Sequence, residues 1–597
     1  MKHTGLVQSL FQYYESQRDI GELPQTGFRL TDVHYTLSID LNGNLVHVSN
    51  NMDSGKKSKG QLTTAPYRGK RTAGIKANFL CDNSKYLLGF EWQKSDAPSV
   101  QYFPEYLKAS RDLHNKFRKS INHPHYDAVC IFLENWVPEE GWSRFTEFRK
   151  DFNSRRIAFQ ILAETGFIHE IANVRTQWAS TMPRLDIKKK EAKIGTCSIT
   201  GKTSLIAPVH PPVIGVFDPG GQAEKALVSF NCDAFTSYGL VQSQNSPTSL
   251  DGAWGYTTAL NHLLSSRRIL IGDMSVIFWA EKSNFVEEIF GFLLSGVPEE
   301  VAEDAATRRQ VENTLEAISK GSGVLEVLGV DTDVSFYIAG LSPSSSRITV
   351  RFWLPSSLGN LLTQLQAHYN CLKIIREFDS DPNFPTVWSL LRAALPYWEG
   401  YRASYDDLPP LLAGALMRAI LQGTPYPDSL ASAVIRRIRA DHTVNYCRAA
   451  ILKAWLTRKP NRQGGISVSL DRKRIDPPYL LGRLFAAYEK TQTDALGDGL
   501  NRTISDSFYA SASTTPSTVF PRLEKTYRHH LSSLGKKNIG ARVNRDKLVQ
   551  EINDPLTSYP THLSLEQQGD FVIGYYHQRK ELFSGNKTTE TTTDNQE

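Results

Sequence analysis

The stretch Tyr35-Thr-Leu-Ser-Ile-Asp-Leu-Asn-Gly-Asn-Leu-Val-His-Val48 decides the fold of the first part of this chain. Apolar residues alternate with polar ones from Tyr35 to Leu41, at the period of two that a half-buried strand produces. Asn42-Gly43 is a preferred two-residue hairpin turn, and residues 45–48 return the chain. The pattern predicts an antiparallel hairpin, and therefore a sheet, near the start of the protein.

A basic segment follows this hairpin, and we define it as residues 68–79 (RGKRTAGIKANF). Between Lys56 and Lys76 the chain carries seven basic residues and no acidic one. Cations and backbone N–H groups on a loop bind phosphates, while polar side chains bind base edges. We therefore expect a DNA-binding loop presented by a sheet. The alternative is a basic surface loop with no ligand, because basic runs are common. The candidate contacts are Arg68, Lys70, Arg71, Thr72, Lys76 and Asn78.

Composition narrows the class of protein. Of the 597 residues, 40% are hydrophobic and 22% are charged, which is typical of a globular protein. The formal net charge is only +6, so binding of a polyanion must depend on local clusters. Six scattered cysteines without C-x-x-C spacing predict neither a zinc ribbon nor a disulfide framework, and favour a reducing cytoplasm. No apolar run approaches ~18 residues, so we expect neither export nor membrane insertion.

The coarse pattern predicts an α+β fold. An N-terminal mixed α/β body with antiparallel hairpins, residues 1–355, precedes an all-α C-terminal helical bundle. The linker at 459–465 divides the helical part into a connecting region, 356–465, and a C-terminal bundle, 466–597. Beyond the first hairpin, strands are predicted at residues 156–162, 227–230, 273–280, 334–339 and 348–353.

A second candidate surface follows the predicted strand at 227–230. Amide, hydroxyl and aromatic groups recur there, and we expect them to lie near nucleic acid. The alternative is a set of turn residues whose polar groups bind the backbone. The candidate residues are Ser229, Asn231, Tyr238, Gln242 and Asn245.

No catalytic constellation is apparent. Gly195 to Thr203 resembles a phosphate-binding loop, but five residues separate its glycines instead of four, and prolines follow at once. Zinc-protease and nucleophile-elbow motifs are missing. We expect no catalytic residue, no metal and no cofactor. The alternative is a nuclease with a dispersed active site, which metal-dependent cleavage of DNA or RNA would reveal.

Motifs in order along the chain resemble one family. They include Thr72 to Asn83 (TAGIKANFLCDN), residues 197–201 (CSITG), 423–427 (GTPYP), 481–485 (LGRLF) and 574–579 (GYYHQR). These motifs are similar to those of the large subunit of the type I-C CRISPR surveillance complex (Cascade). The chain departs from the family at Ala77, where proline is usual, and at residues 217–225, where a serine-rich stretch is usual.

This resemblance implies a role in RNA-guided DNA recognition. The basic segment would read the protospacer-adjacent motif in double-stranded DNA and promote strand opening and R-loop formation, while a guide RNA held by other subunits reads the remaining sequence. The implied partners are that guide RNA, the backbone and guide-end subunits, a small subunit, and a helicase-nuclease. The C-terminal bundle resembles a small subunit. It would hold the displaced single strand through its basic residues, with Tyr509 or Tyr527 stacking on bases. Those basic residues are Arg474, Lys525, Arg528, Arg542 and Arg545.

Overall fold

The computed structural model describes residues 5–53, 59–68, 74–94, 97–185, 193–281, 333–396, 407–409, 411–462, 464–497 and 502–583, with isolated positions between 287 and 316. The chain forms two compact units. The N-terminal unit comprises Thr4–Ile214 and Glu224–His262, and the C-terminal unit comprises Gly215–Ala223 and Leu263–Glu597.

The N-terminal unit is a mixed α/β body. Its strands are β1 (Phe28–Val33), β2 (Tyr35–Ile39), β3 (Leu45–Asn50), β4 (Gln61–Pro66), β5 (Cys81–Asp82), β6 (Phe90–Trp92), β7 (Val100–Tyr102), β8 (Ile157–Ile161), β9 (Ile194–Thr196), β10 (Thr203–Leu205), β11 (Val213–Ile214) and β12 (Glu224–Lys225). Its helices are α1 (Leu6–Asp19), α2 (Ser84–Leu87), α3 (Pro104–Ile121), α4 (Pro124–Asn135), α5 (Pro138–Gly141), α6 (Ala172–Leu185) and α7 (Leu250–Ser266), the last turn of which belongs to the C-terminal unit.

The main sheet of this unit has the strand order β3–β2–β8–β5. Strands β2 and β3 form the predicted antiparallel hairpin, with Leu37 opposite Val48, and β8 lies parallel to β2 on its other side. All five residues of β2 are buried, because it is an inner strand of the sheet. The strand predicted at 156–162 is confirmed as β8.

The hairpin turn is held by Asp40. Its carboxylate accepts the backbone N–H groups of Asn42 at 2.9 Å and Asn44 at 2.8 Å. Gly43 has a φ of +78°, and a Cβ there would lie 2.7 Å from the backbone nitrogen of Phe132 in α4. Glycine is therefore required both by the backbone conformation and by the close approach of the helix.

The C-terminal unit combines one antiparallel sheet with helices. The sheet has the order β13 (Ile269–Ile271), β14 (Met274–Ala280), β15 (Ser335–Ser344) and β16 (Arg347–Ser357). The helices are α8 (Leu358–Leu372), α9 (Val387–Arg392), α10 (Leu412–Gln422), α11 (Asp428–Asp441), α12 (Tyr446–Thr457), α13 (Pro477–Leu496), α14 (Ile504–Ala512), α15 (Pro516–Lys537), α16 (Ile539–Asn553) and α17 (Leu565–Phe583).

Helices α13 and α17 cross at two glycines. A Cβ at Gly482 would lie 2.0 Å from the carbonyl oxygen of Phe571, and one at Gly574 would lie 2.1 Å from that of Tyr479. Backbone contacts this close need residues without side chains. The crossing lies in a core shared by residues from Ile271 to Tyr576, so the bundle at 466–597 packs together with the elements that precede it.

The sequence predictions have mixed outcomes. The α+β class, the hairpin of β15 and β16 and the helical C-terminal part are confirmed. The strand predicted at 227–230 is wrong, since these half-buried residues form bends without a partner strand. Division at residues 355 and 465 stays a prediction, and the two compact units separate between His262 and Leu263. Within the described residues, no helix is both long and apolar enough to cross a bilayer.

The glycine crossing generates a stability prediction. Gly482→Ala places a methyl group against the backbone of α17, so the helices must move apart. We expect the free energy of unfolding to fall by ~1–3 kcal/mol, as for overpacked cores. Urea denaturation followed by circular dichroism measures the change. Gly465→Ala is the control, because nothing lies within 4 Å of a Cβ there. Equal stability of the two variants would contradict this account of the crossing.

Candidate nucleic-acid interface

The basic segment lies between two fixed points of the N-terminal unit. Strands β1 and β4 form an antiparallel ribbon, with Phe28 opposite Pro66, and the segment begins two residues beyond β4. Tyr67, at the end of the ribbon, donates its backbone N–H to the carbonyl oxygen of Gly27 at 2.8 Å. The end of the segment, Phe79, is fully buried. The residues on either side of this stretch, Tyr67 and Phe79, are therefore both held by the fold.

Trp178 of α6 connects the two ends. Its ring stacks on Phe79 with centroids 4.7 Å apart and planes 2° apart. Its indole N–H donates to the same Gly27 carbonyl oxygen at 2.7 Å. One buried side chain thus holds the end of the segment by stacking and shares an acceptor with the residue before its start. Trp178 is 99 residues beyond Phe79, and no local sequence signal pairs the two.

His114 of α3 also holds the C-terminal end of the basic segment. Its ring stacks on Phe79 with centroids 5.4 Å apart. Its Nε2 accepts the backbone N–H of Leu80 at 3.0 Å, and its Nδ1–H donates to the carbonyl of Ser110 at 2.7 Å. Leu80 has a φ of +55°, a backbone conformation that needs such support.

Burial keeps His114 neutral. Burial lowers its pKa from 6.5 to about 4, despite an opposing effect of the hydrogen bond to Ser110. The pKa of His114 is lower in the folded state than in the unfolded state. The stability that depends on neutral His114 is therefore fully present above the unfolded-state pKa. That stability declines as the pH falls toward 4.

Three of the six predicted contacts in this segment lie within the described residues. Arg68 is half-buried and donates from Nη1 to the carbonyl of Ala77 at 3.4 Å. The backbone N–H of Lys76 donates to the hydroxyl of Tyr86 at 3.3 Å, and that of Asn78 donates to the buried carboxylate of Asp82 at 2.8 Å. These bonds hold the main chain and leave the side chains of Lys76 and Asn78 partly exposed.

The other three predicted contacts, Lys70, Arg71 and Thr72, lie outside the described residues. Ala77, where the resemblance implies a proline, is buried in the core of the unit. The change from proline is therefore in the interior rather than on the outward face of the loop.

The second candidate surface leads directly into α7. Tyr238 is fully exposed, with a relative accessibility of 100%, and Asn231 and Gln242 are also exposed. Ser229 and Asn245 are half-buried. Five candidates close in sequence therefore have different environments, and their roles separate accordingly.

Asn245 is engaged by the backbone of its own loop. Its Oδ1 accepts the N–H of Ser237 at 2.9 Å, and its Nδ2 donates to the carbonyls of Leu240 at 3.1 Å and Gln242 at 2.9 Å. These three bonds fix the turn that presents Tyr238. For Asn245 the alternative interpretation, a polar side chain bound to the backbone, describes the contacts seen.

Residues that flank the two candidate surfaces lie at the first turns of α7. Tyr67, just before the basic segment, packs against Trp254 of α7 with ring centroids 6.1 Å apart. The second surface ends where α7 begins, at Leu250. Ser249 caps the helix by accepting the N–H of Gly252 at 3.0 Å. Sequence analysis missed Tyr67 and Trp254 because their pairing joins segments 187 residues apart.

The hairpin of β9 and β10 is hydrogen-bonded to the residues that precede α7. Its turn is tied to the residues before α7, since Ser198 donates its N–H to the carbonyl of Pro247 at 2.7 Å. Cys197 is buried, which opposes ionisation, but hydrogen bonds from Ser249 and Thr200 lower its pKa to about 7. This hairpin contains the sequence that resembled a phosphate-binding loop, and β10 continues into an extended chain instead of a helix.

The C-terminal candidates divide into paired and exposed residues. Arg474 donates to Asp570 at 2.6 Å and also pairs with Asp476, while buried Arg545 donates to Asp494 at 3.0 Å. Both guanidinium groups are thus engaged inside the protein. The remaining three candidates are exposed: Lys525, Arg528, which pairs with Glu524, and Arg542.

The expectation that Tyr509 or Tyr527 stacks on bases does not fit their burial. Tyr527 stacks on Tyr488 with centroids 4.7 Å apart, and Tyr509 lies edge-on to Phe485 at 5.5 Å. Both rings are nearly inaccessible to solvent. They belong to the apolar faces of α15 and α14, where large aromatic side chains fill the core.

The closure by Trp178 yields a second prediction. Trp178→Phe keeps a ring against Phe79 but removes one of the two donors to the Gly27 carbonyl, so we expect a cost of ~0.5–1.5 kcal/mol for the lost hydrogen bond. We expect faster hydrogen exchange at the amides of Tyr67 and Leu80, measured by NMR or mass spectrometry.

Trp136→Phe is the matched control for this change. Trp136 is also buried in the N-terminal unit, and its indole N–H donates to the carbonyl of Leu88 at 2.9 Å. Its replacement should lower stability by a similar amount and leave the two amides protected. Equal exchange at Tyr67 in both variants would rule out a specific role for Trp178.

Comparison with known families agrees with the order of motifs along the chain. The family model of CRISPR-associated protein (Cas_Csd1) matches residues 10–583, which is nearly the whole sequence. No curated protein sequence matches the chain. The match is continuous across both compact units, and the chain therefore belongs to the Cas_Csd1 family of CRISPR-associated proteins, the large subunits of type I-C surveillance complexes.

Proposed function

We propose that this chain senses the protospacer-adjacent motif in double-stranded DNA on behalf of an RNA-guided surveillance complex. The basic segment contacts the duplex, and strand opening there starts the R-loop that the guide RNA extends by base pairing. The chain binds the guide-containing assembly of backbone, guide-end and small subunits, and the assembled surface recruits a separate helicase-nuclease. The role is binding rather than catalysis.

The observation that carries this proposal is that residues flanking both candidate surfaces lie at the start of α7. The chain has no acidic residue between Lys56 and Lys76, and Tyr67 within this stretch packs against Trp254. The loop with exposed amide and aromatic groups ends at Ser249, immediately before α7. Phosphates need cations, and base edges need amides and hydroxyls. Both chemistries are therefore available at one end of one helix.

The fixed main chain at the C-terminal end of the basic segment favours specific recognition of DNA over a nonspecific electrostatic contact. The main chain at Lys76, Asn78 and Leu80 is held by Tyr86, Asp82 and His114 respectively. Side chains on a fixed backbone lose less conformational freedom on binding and discriminate geometry better. A mobile basic loop would bind any polyanion in the same way.

In the C-terminal unit, we assign the displaced strand to the exposed cations of α15 and α16. Lys525, Arg528 and Arg542 contact phosphates without reading sequence. Arg474 and Arg545 are excluded from this face because their side chains are largely buried and paired with Asp570 and Asp494. Arg528 also pairs with a carboxylate, that of Glu524, but its side chain is exposed.

The third prediction tests the basic segment. Lys70, Arg71 and Lys76 are replaced by alanine together, and binding of motif-bearing duplex by the assembled complex is titrated at several salt concentrations. Each lost phosphate contact should reduce the slope of log K against log salt by about 0.9. A lost base contact should cost ~1–3 kcal/mol and relax the motif preference.

The control for this test removes three exposed cations of α3, Lys108, Lys116 and Lys119. It changes the net charge equally and leaves the segment intact. If duplex binding of the first variant equals that of the wild type, the basic segment does not sense the motif.

The fourth prediction concerns the displaced strand. Replacement of Lys525, Arg528 and Arg542 by alanine should increase nuclease or permanganate sensitivity of the non-target strand, and affinity for the intact duplex should change little. The effect should be the same for every target sequence, because phosphate contacts carry no sequence information. Lys373, Arg392 and Arg436, also exposed in the C-terminal unit, form the control triple. Equal protection of the strand in both variants would contradict the assignment.

A further inference from the structure

The tip of the second candidate surface has a conformation that its sequence does not favour. Tyr238 has a φ of +54° and Gly239 a φ of +70°, and Leu240 donates its N–H to the carbonyl of Ser237 at 2.9 Å. Two successive positive φ values closed by this bond correspond to a type I′ turn, whose first central position favours Asn, Asp or Gly. A bulky aromatic residue there is a true outlier.

The ring at this position has no packing role in the unit. Tyr238 is fully exposed, so its burial contributes nothing to offset the strain of its backbone. Backbone strain at a residue whose side chain makes no packing contribution to the fold is typical of a binding position. Its neighbours Ser237 and Gly239 are small, and a flat group can therefore approach either face of the ring.

The chemistry around the tip suits a nucleotide. Gln242 is exposed, and Lys193, which is also exposed, donates from Nζ to the Oε1 of Gln244 at 2.7 Å on the same loop. An exposed ring and an exposed amide on one loop, with a cation bonded to that loop, match base, base edge and phosphate. The loop ends at the start of α7, whose Trp254 packs against Tyr67, the residue before the basic segment.

We infer that Tyr238 stacks on an unpaired nucleobase and that Asn245 is the positioning residue that holds its turn. This inference rests on the proposed function and names a contact within it. Stacking of an aromatic side chain on a base requires no particular sequence, since every base has a flat face. Tyr238 therefore acts on a base that has left its pair, whereas the basic segment acts on the duplex.

A substitution that suits the turn separates stacking from stability. Tyr238→Asn places a favoured residue at the positive φ and removes the ring, so the melting temperature should stay the same or rise. Binding of target DNA by the full complex should nevertheless weaken by roughly 5- to 140-fold, the range expected for loss of one stacked base. Tyr238→Phe and Tyr238→Trp should retain binding, because both keep a flat ring.

The direct readout is the fluorescence of 2-aminopurine placed at successive positions of the target strands or the guide. Stacking quenches this base, so one position should be quenched in the wild-type complex and bright in Tyr238→Asn. Asn245→Ala should restore brightness at that same position without loss of assembly, and Asn245→Asp, which keeps the acceptor for Ser237, should have an intermediate effect.

The outcomes distinguish this inference from the proposed function. If the basic-segment variant loses motif-dependent binding and Tyr238→Asn alters neither affinity nor quenching, the proposed function stands and the stacking contact is refuted. Phe235→Ala, a change at a 45% exposed ring three residues away, tests protein docking. If Tyr238→Asn and Phe235→Ala both prevent complex assembly, the loop binds a protein subunit and the inference is overturned.

Discussion

The carbonyl oxygen of Gly27 is the point on which the candidate interface depends. It accepts the backbone N–H of Tyr67 and the indole N–H of Trp178, and the Trp178 ring stacks on Phe79. Tyr67 and Phe79, at the two ends of residues 68–78, are thereby held by contacts with the interior of the unit. Main chain that is already ordered at these positions in the folded protein loses less conformational entropy when a ligand binds there.

Helix α7 connects residues that flank both candidate surfaces. Trp254 contacts Tyr67, and Ser249, at the end of the polar loop, caps the helix. Pro247 and Thr248 of that loop accept the N–H groups of Ser198 and Ala207. Neither loop would define a site alone. Together they offer cations, amides and an exposed aromatic ring, which are the groups that proteins use to read opened nucleic acid.

In the C-terminal unit, some charged side chains are buried and stabilise the fold. Fully buried Arg448 donates to the carbonyls of Ala393 and Leu395 and pairs with Asp441. Removal of one partner from such a group would leave an unsatisfied charge in the core. Basic residues in this unit therefore include structural ones as well as surface ones, and only the exposed ones can contact a polyanion.

Sequence patterns predicted the features that depend on local order. The alternation from Tyr35 to Leu41 with Asn42-Gly43 specified the hairpin, and three-and-four spacing specified the helices, because both periods follow from backbone geometry. The run at 227–230 was apolar enough for a strand but has no partner strand in the structure. Apolar character alone does not decide whether a neighbouring edge exists.

The candidate site was predictable only in part, for a related reason. The basic segment and the polar loop were visible as composition, but the connection of the basic segment to α7 depends on Tyr67 and Trp254, which are distant in sequence. Charge counting likewise could not separate Arg474, paired with Asp570 ninety-six residues later, from exposed Arg542. Contacts in the tertiary structure determine which charged side chains are exposed and able to bind a ligand. The pattern of a single sequence does not show these contacts.

The central claim is that the N-terminal end of α7, with the two loops around it, is where target DNA is sensed. A cryo-EM map of the chain assembled with guide RNA, partner subunits and motif-bearing duplex tests this most directly. The account predicts that the motif lies against residues 68–79 and that the opened strand lies beside residues 235–242. Density for the duplex on another surface, with both loops facing solvent or a protein subunit, would contradict it.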